Sequence, residues 1–288
     1  MDIDEGSGAS PDYVLVGHVT RDVLGARLQL GGTALYAGTT AARLGRRVGI
    51  VTAGEASLSN ELASAAAAVE LVPSTETTTF EHTGGPQERS LRLLGRAAPI
   101  PVDAVPAAWR RASIIHLAPV ANELSFDMGA VLQGGTVVAT LQGWMRAFAS
   151  DGAVRPAVHR ALGLPLECFA AAVLSAEDLT GNDDLARQIA SRVPVLVVTR
   201  GADGCLAYRG GQVIEFRAFP ARVVDATGAG DVFATAFFIR LDETDDVAES
   251  ARFAAAAAAL SIEGVGLSCI PERAAVAARL SGVSACIE

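Results

Sequence analysis

Lysine is absent from this sequence, and all 23 of its basic residues are arginine. A Walker-type phosphate-binding loop, the ATP-binding lysine of protein kinases and a Schiff-base mechanism each require a lysine amine. These three classes are therefore excluded. A phosphotransferase that holds phosphate with backbone amides stays open, because its anion site needs no lysine.

Cysteine and histidine are scarce, with four residues of each. The cysteines lack the close pairs of zinc sites and the density of a disulfide scaffold, so we expect buried free thiols. They are Cys168, Cys205, Cys269 and Cys286. No two histidines stand at the i, i+4 spacing of a helical zinc site, and each is expected to be a polar pocket or surface residue. They are His18, His82, His116 and His159.

Long apolar runs and an excess of basic charge are also missing. No uninterrupted apolar stretch reaches about 18 residues, the length of a membrane span, although the mean hydropathy is +0.34. A net charge of −9 argues against nucleic acid, which requires a basic surface. Residues 1–10 are acidic and small, unlike a signal peptide. We expect them to be a disordered tail on a cytoplasmic protein.

The remaining residues, 11–288, are expected to form a single α/β domain, since half of the chain is hydrophobic. Short, continuous apolar segments alternate with helical ones, which predicts a mostly parallel sheet covered on both faces. The predicted strands are 13–16, 48–52, 114–117, 137–140, 171–174, 195–199 and 205–208. The predicted helices include 33–44 and 183–191.

One region interrupts this alternation of strands and helices. Residues 77–82 and 89–94 read as two strands around the turn 83–87, which contains two glycines and a proline. We predict a short β-hairpin here, and a plain surface hairpin is the interpretation that needs no further assumption.

The most specific segment is Asp225-Ala226-Thr227-Gly228-Ala229-Gly230-Asp231, which runs into the apolar stretch 232–241. Its glycines allow successive N–H groups to point at one anion. A helix that starts near Asp231 adds unpaired amides and a positive dipole end. Asp231 would then accept the proton of an attacking hydroxyl, and we expect the helix end to keep it ionised as a weak base.

This segment resembles the C-terminal signature of the ribokinase-like (PfkB) carbohydrate kinases, Asp-Thr-x-Gly-Ala-Gly-Asp, from which only Ala226 departs. Weaker matches follow in the family's order: Gly17 and Asp22, then Gly31-Gly32, then the stretch 198–204. The resemblance implies a three-layer α/β/α sandwich with a mostly parallel central sheet. It also implies a small β lid at about 72–96, which in relatives often forms a dimer clasp.

On the acceptor side, the resemblance assigns Asp22 to the hydroxyls of the substrate and Gly31-Gly32 to close backbone approach. Gln142 and Arg146 lie in a stretch similar to one in the branch of plant myo-inositol kinases, so we expect them at the acceptor; the alternative for Arg146 is a solvated helix residue. Tyr36 stands where sugar kinases carry asparagine, and it either stacks on the ligand or belongs to the core. These departures weaken any claim for ribose or fructose 6-phosphate.

On the donor side, relatives show Asn-x-x-Glu where this chain has Ser175, Glu177 and Asp178. The resemblance implies that Asp178, assisted by Glu177, holds Mg²⁺ through water, whereas an ordinary helix start would explain the same residues. Further nucleotide contacts are expected at Ser175, Thr199, Gly201, Gly204 and Thr227. Residues 254–260 either wall the adenine or form a packed Ala-rich helix.

These observations predict a kinase that transfers the γ-phosphate of Mg·ATP to a hydroxyl of a sugar, cyclitol or nucleoside. Asp231 is the expected base, and Gly228, Ala229 and Gly230 are the expected anion hole. A non-catalytic protein that senses a metabolite with the same fold is the alternative. A dinucleotide-dependent oxidoreductase is disfavoured, because the glycine-rich stretch 201–211 is not a GxGxxG fingerprint.

Overall fold

The computed structural model describes residues 10–62, 68–83, 90–132 and 134–284, and in these ranges it contains fifteen strands and eight α-helices. The strands are β1 (Tyr13–Val16), β2 (Thr20–Leu24), β3 (Arg27–Gly31), β4 (Val48–Gly54), β5 (Ala68–Pro73), β6 (Thr79–Thr83), β7 (Ser90–Gly95), β8 (Ile114–Leu117), β9 (Thr136–Thr140), β10 (Arg146–Phe148), β11 (Val154–Pro156), β12 (Ala171–Ser175), β13 (Val195–Thr199), β14 (Cys205–Arg209) and β15 (Gln212–Phe216). The helices are α1 (Thr33–Arg43), α2 (Ser57–Leu62), α3 (Met128–Val131), α4 (Ala176–Leu179), α5 (Asp183–Ala190), α6 (Ala229–Thr244), α7 (Val247–Ser261) and α8 (Arg273–Ser284).

The main sheet has nine strands in the order β15-β14-β13-β12-β9-β8-β1-β4-β5. All neighbours from β13 to β5 are parallel, whereas β14 and β15 join antiparallel at one edge. All seven predicted strands are present. Their continuous apolar runs are buried because both faces of the sheet are covered.

Helices cover the two faces of the main sheet and produce two separate hydrophobic cores. Tyr13 and Leu15 of β1 belong to the core that includes α1, α6 and α7. Val14 and Val16 belong to the opposite core, which includes α5. This alternation follows from the two-residue period of a strand. The predicted three-layer α/β/α architecture is thus confirmed.

A second sheet of four strands, in the order β3-β2-β6-β7, forms the lid. Its β6 and β7 are the arms of the predicted hairpin, and of the turn predicted at 83–87 all residues but Thr83 lie outside the described ranges. The other two strands were not predicted: β2 and β3 come from 20–31, far from the expected 72–96. Asp22 is therefore on a lid strand and not on a loop. The lid is larger than predicted and comes from two segments of the chain.

Buried hydrogen bonds fix the lid where it leaves the main sheet. His18, after β1, has its Nδ1 2.7 Å from Thr78 Oγ1 and its Nε2 2.9 Å from the carbonyl oxygen of Ala98. The N–H of Val19 donates to Thr52 Oγ1 over 2.9 Å. These contacts tie both lid segments to the ends of β1 and β4.

The remaining predictions from composition have mixed outcomes. Cys205 is buried, but Cys168 and Cys269 are partly exposed; all three thiols are free, and Cys286 lies outside the described residues. Residues 1–9 of the expected tail lie outside them as well. No helix in the described ranges is long and apolar enough to cross a membrane. The division into one domain and a tail stays a prediction.

Candidate active site

A cavity of about 120 Å³ lies between the lid and the carboxyl ends of the main-sheet strands. Asp22, His82, Gln142, Arg146 and Asp231 are its polar side chains of greatest chemical interest. A larger depression of about 580 Å³, on the surface around Arg46 and Arg273, is lined by arginines that already pair with acids and contains none of the predicted site residues. Ligands of parallel sheets bind at the carboxyl ends of strands, so the smaller cavity is the candidate site.

The lid contributes one face to this cavity. Asp22 of β2 stands opposite Phe80 of β6, and His82 stands opposite Leu91 of β7. Because side chains alternate across a strand, Thr20, Asp22, Phe80, His82 and Leu91 all face the cavity. The inner face of the lid therefore combines one carboxylate and one imidazole with two large apolar side chains.

Helix α6 begins at the floor of the cavity, where two of its glycines differ in what surrounds them. Gly228 has φ 77°, and a Cβ on it would lie 2.1 Å from the ring of Tyr36. A Cβ on Gly230 would meet no atom within 4 Å. The amides of Gly230 and Asp231 belong to the first turn, where N–H groups have no intrahelical acceptor. Gly228 is thus required by the fold, whereas Gly230 leaves room for a ligand in front of open amides.

Side-chain hydrogen bonds shape the loop that precedes α6. Asp225 Oδ1 accepts the N–H of Thr227 over 2.9 Å, and its Oδ2 accepts the N–H of Gly266 over 3.4 Å. The first acid of the signature thus holds the loop, while Thr227 lines the cavity.

Asp231 is the third residue of α6, in the turn that carries the open amides, and it lines the cavity. Burial raises its pKa to about 6, and the carboxylates of Asp22 and Asp178 act in the same direction. A hydrogen bond with Thr33 and the charge of Arg146 lower the pKa but do not offset burial. The expectation that the helix end keeps Asp231 a weak base is therefore wrong, because desolvation outweighs the helix dipole.

Asp22 is buried at the lid base and is held by its neighbours. Its Oδ1 accepts a hydrogen bond from Thr20 Oγ1 over 2.9 Å and lies 3.6 Å from His82 Nε2. A Cβ on Gly31 would lie 2.1 Å from Asp22 Oδ2, so Gly31 makes room for this carboxylate. Gly32, with φ 86°, is the one of the pair that lines the cavity. Direct contact of Gly31 with an acceptor stays a prediction.

Arg146 opens β10 and is the arginine of the cavity wall. Its Nη1 donates to the carbonyl oxygen of Val120 over 3.0 Å, and its guanidinium lies 5.9 Å from the ring centre of Phe80. Burial lowers its pKa, and the carboxylates of Asp178, Asp231, Glu123 and Asp22 oppose this. In the described part of the chain Arg146 forms no direct ion pair. Its remaining donors are free for a ligand, and it is not a solvated helix residue.

Asp178 links the cavity to the start of α4. Its Oδ2 accepts the N–H of Ser175 over 3.0 Å, and Ser175 Oγ accepts the N–H of Glu177 over 3.2 Å, which makes a capping box. The helix-start alternative is thus present in the geometry. Asp178 also bonds Gln142 and faces Arg146, and burial raises its pKa. Glu177 is exposed, and the described residues contain no cluster of three metal-binding side chains.

The other predicted nucleotide residues lie beside α4, at the ends of β13 and β14. Thr199 stands opposite Ser175 across the sheet, and its Oγ1 donates to the carbonyl oxygen of Leu174 over 3.4 Å. Gly201 has φ 56° and open space around it. A Cβ on Gly204 would lie 1.9 Å from the carbonyl oxygen of Phe216, so this glycine serves packing.

Apolar surface not identified from the sequence flanks the open amides. Val223, Val224 and Val265 are 65%, 47% and 54% exposed. The N–H of Val224 donates to the carbonyl oxygen of Ile262 over 2.8 Å, which joins the two segments that carry these valines. By contrast, residues 254–257 are buried in the core, so the packed-helix interpretation of this Ala-rich stretch is the right one there.

Glu123 is a second residue that sequence analysis missed. Its buried carboxylate accepts the N–H groups of His18 over 2.8 Å, Val120 over 3.0 Å and Ala121 over 2.7 Å. It therefore joins the loops after β1 and β8, one of which holds the lid and the other Arg146. In the sequence, only the presence of an acidic residue in the loop 118–124 could have indicated this role.

The model of the pfkB family carbohydrate kinases matches residues 170–273, which include the whole segment from Asp225 to Asp231. The PfkB domain predicted from the signature is therefore confirmed over this part of the chain.

Curated relatives of this chain carry kinase names. It is 38% identical to the 2-dehydro-3-deoxygalactonokinase of Haloferax volcanii over 104 residues, which are 36% of this chain and 30% of that one. It is 28% identical to the cytidine kinase of Thermococcus kodakarensis over 78% of this chain and 87% of that one. It is 38% identical to the inositol 3-kinase of Zea mays over 35% of this chain and 27% of that one. Two of these matches thus span under a third of the relative.

Solved structures agree with the ribokinase-like fold. A pyrophosphate-dependent kinase in the ribokinase family, in complex with sulfate, has a TM-score of 0.77 and 21% identity, with 93% of this chain and 99% of that one covered. The ribokinase of Arabidopsis thaliana, in complex with ribose and ATP, has a TM-score of 0.71 and 20% identity, with 94% and 99% covered. At these identities the solved structures show the fold alone.

Proposed function

We propose that this protein transfers the terminal phosphoryl group of Mg·ATP to a hydroxyl of a small, neutral, polyhydroxylated molecule. The observation that carries the proposal is the position of Asp231, which lines the lid-covered cavity and belongs to the first turn of α6, where the open amides lie. The acceptor would occupy the cavity, and the transferring phosphate would bind the amides of the first turn.

The residues around Asp231 supply the steps of such a transfer. With its pKa raised to about 6, Asp231 is ionised at neutral pH yet basic enough to take the proton of an attacking hydroxyl. The open amides of Gly230 and Asp231 hold the transferring group, and the free donors of Arg146 offset its charge. The hydroxyl oxygen bonds to phosphorus as the bond from phosphorus to the leaving diphosphate breaks.

The charge of the cavity favours a neutral acceptor. The carboxylates of Asp22, Glu123, Asp178 and Asp231 surround the single guanidinium of Arg146. A sugar phosphate would add negative charge to this set without a second arginine in the cavity wall. The cavity volume of about 120 Å³ favours a sugar or cyclitol. The cytidine kinase relative keeps a nucleoside as the second candidate.

The donor residues fit a nucleoside triphosphate. Gly230 leaves space for a phosphate group. The exposed apolar surface of Val223, Val224 and Val265 is suited to a nucleobase. Mg²⁺, when bound, would neutralise the negative charge of the phosphates. It needs only one or two protein carboxylates, and Asp178 and Glu177 are the proposed ones. Pyrophosphate is the competing donor, since a pyrophosphate-dependent kinase shares the fold.

A non-catalytic metabolite sensor is the alternative function. The capping box occupies one oxygen of Asp178, which favours it. The basic carboxylate of Asp231 beside open amides favours the kinase, because a sensor has no need of either.

The lid supports a further part of the proposal, a homodimer that pairs through its outer face. Leu28 and Leu94 of the lid are 59% and 50% exposed. Sedimentation of the wild type and the Leu28→Glu variant at several concentrations tests it, and two monomeric proteins would contradict it.

The function is tested by ADP release from Mg·ATP across inositols, pentoses, hexoses, sugar acids and nucleosides. Wild type, Asp231→Asn and the exposed control Asp183→Asn are compared. Release that depends on one acceptor class and disappears only in Asp231→Asn supports the kinase. Parallel assays with pyrophosphate identify the donor. Binding of an acceptor in a melting assay, with no transfer from either donor, would favour the sensor.

A further inference from the structure

A small hairpin outside both sheets is attached to the edge of the lid. Its strands β10 and β11 pair antiparallel, and its turn lies against β7. The N–H of Leu93 donates to the carbonyl oxygen of Gly152 over 2.8 Å, and Arg92 Nε donates to that of Asp151 over 2.8 Å. A single bridge also joins Arg92 and Ala153. The hairpin is therefore hydrogen-bonded to the lid.

The same hairpin contributes to a third apolar cluster, separate from the two cores of the main sheet. Phe148 and Val154 of the hairpin pack there with lid and loop residues. The lid members are Phe80, Leu91 and Leu93, and the loop members are Val120 and Ala121. Arg96, just after the lid, places its guanidinium 4.4 Å from the ring centre of Phe148. Phe148 thus joins three elements that surround the cavity.

The hairpin also begins with Arg146, two residues before Phe148. The guanidinium of Arg146 lies over the ring of Phe80, and Phe148 packs against the cluster that contains Phe80. The carbonyl oxygen of Arg146 accepts a hydrogen bond from Asn122 Nδ2 over 2.9 Å, which ties this end of β10 to the loop after β8. A movement of Phe80 with the lid would therefore remove support from Arg146.

We infer that the β10–β11 hairpin is a strap that positions the lid and Arg146 together, with Phe148 as its main positioning residue. The inference rests on the proposed function. Loss of the Phe148 ring frees the edge of the lid and the guanidinium at once. The acceptor is then held less tightly, and water reaches the phosphoryl donor. The main sheet and the open amides of α6 do not depend on the strap.

The test compares Phe148→Ala, the conservative Phe148→Leu and the exposed control Arg155→Ala on the same hairpin. In Phe148→Ala we expect the KM of the acceptor to rise on the order of tenfold, equal to about 1.4 kcal/mol. The KM of the donor stays within about twofold, and more ADP forms per phosphorylated acceptor. Phe148→Leu recovers most of the loss, and Arg155→Ala matches wild type.

Hydrogen exchange provides a readout that does not need the acceptor. In Phe148→Ala, exchange should accelerate in β6 and β7 and stay unchanged in β1 and β8. Gly152→Ala, whose Cβ would lie 2.3 Å from the carbonyl oxygen of Leu93, loosens the same contact from the other side and should match it.

Unchanged lid exchange in both variants would overturn the strap. A parallel rise of both KM values with a lower melting temperature would reduce Phe148 to a packing residue. If no acceptor is phosphorylated by the wild type, the proposed function fails, and lid exchange still decides the strap.

Discussion

The two parts of the candidate site, the cavity that Asp231 lines and the start of α6, are built from different materials. The proposed acceptor half is a small cavity enclosed by side chains from the lid, the loop after β8 and the hairpin. The proposed donor half is open and consists of backbone amides, glycines and exposed valines. Side chains discriminate among ligands by shape and charge, whereas amides hold any phosphate. With the proposed function, acceptor choice would therefore depend on residues outside the signature, and the signature would identify only the phosphate.

Asp231→Asn should have the largest effect, because it removes the group that serves both halves. We expect kcat to fall by about 10²–10⁴, while calorimetry finds donor affinity within about twofold of wild type. The variant should also melt higher at pH 7.5. The folded-state pKa of about 6 exceeds the ordinary value of 3.8, so stability is lost as pH rises between them. Near-wild-type turnover would remove Asp231 from the mechanism.

Arg146→Ala should come second, with a loss of about 10²–10³ in kcat/KM of the acceptor. Arg146→Lys should recover only part of the lost activity, since an ammonium group lacks the planar arrangement of donors of a guanidinium. Steady-state kinetics of both Arg146 variants, with Arg155→Lys as the control, measures the two effects. An equal rise of the KM values for donor and acceptor would mean that Arg146 serves both ligands and not the acceptor alone.

The glycines at the start of α6 separate fold from donor binding. Gly228→Ala places a Cβ 2.1 Å from the Tyr36 ring at positive φ, and should cost about 1–3 kcal/mol of stability. Gly230→Ala meets open space, so its melting temperature should match wild type while donor KM rises about tenfold. Thermal melts and donor titrations of both variants test this. An unstable Gly230→Ala would mean that both glycines serve the fold.

The pH dependence gives a smaller effect within a normal assay range. Because the base must be ionised, kcat/KM should be half-maximal near pH 6 and fall about tenfold per pH unit below it. Arg146 lowers the pKa of Asp231, so Arg146→Ala should shift this limb to higher pH. A limb near pH 4 in both proteins would mean that Asp231 is solvated in the complex.

Val224→Ser should have the smallest effect. Loss of exposed apolar area beside the amides should raise the KM of ATP by about two- to fivefold and leave that of pyrophosphate unchanged. Kinetics with both donors checks it. Equal KM values for ATP in wild type and variant would mean that the nucleobase binds elsewhere.

Local pattern predicted the main sheet well and the lid poorly. Strands such as β1 and β8 are buried on both faces, so their apolar runs are visible in the sequence. In β2 the cavity-facing position is Asp22, and a polar residue on an inner face breaks the alternation that identifies a strand. Functional positions are therefore where the pattern was hardest to interpret.

The candidate site shows the same limit. The glycines before α6 and Asp231 could be proposed as site residues because their pattern is local in the chain, and their roles stay predictions. Glu123 was missed because its partners, such as His18, lie about a hundred residues away. The pKa of Asp231 was given the wrong direction, since the helix start is visible in the sequence but the burial of its carboxyl group and the nearby charge of Asp22 are not.

Helix α6 carries Asp231 at its start, and its next eight residues, 232–239, are all buried between α1, α7 and the main sheet. The lid, by contrast, has four strands of five or six residues. On heating, small peripheral sheets lose order before central helices. With the proposed function, a protein warmed to just below its main melting transition would still bind its phosphoryl donor and retain its catalytic base, but its lid would no longer exclude water. The first sign of heat damage would then be hydrolysis of the donor without transfer to an acceptor.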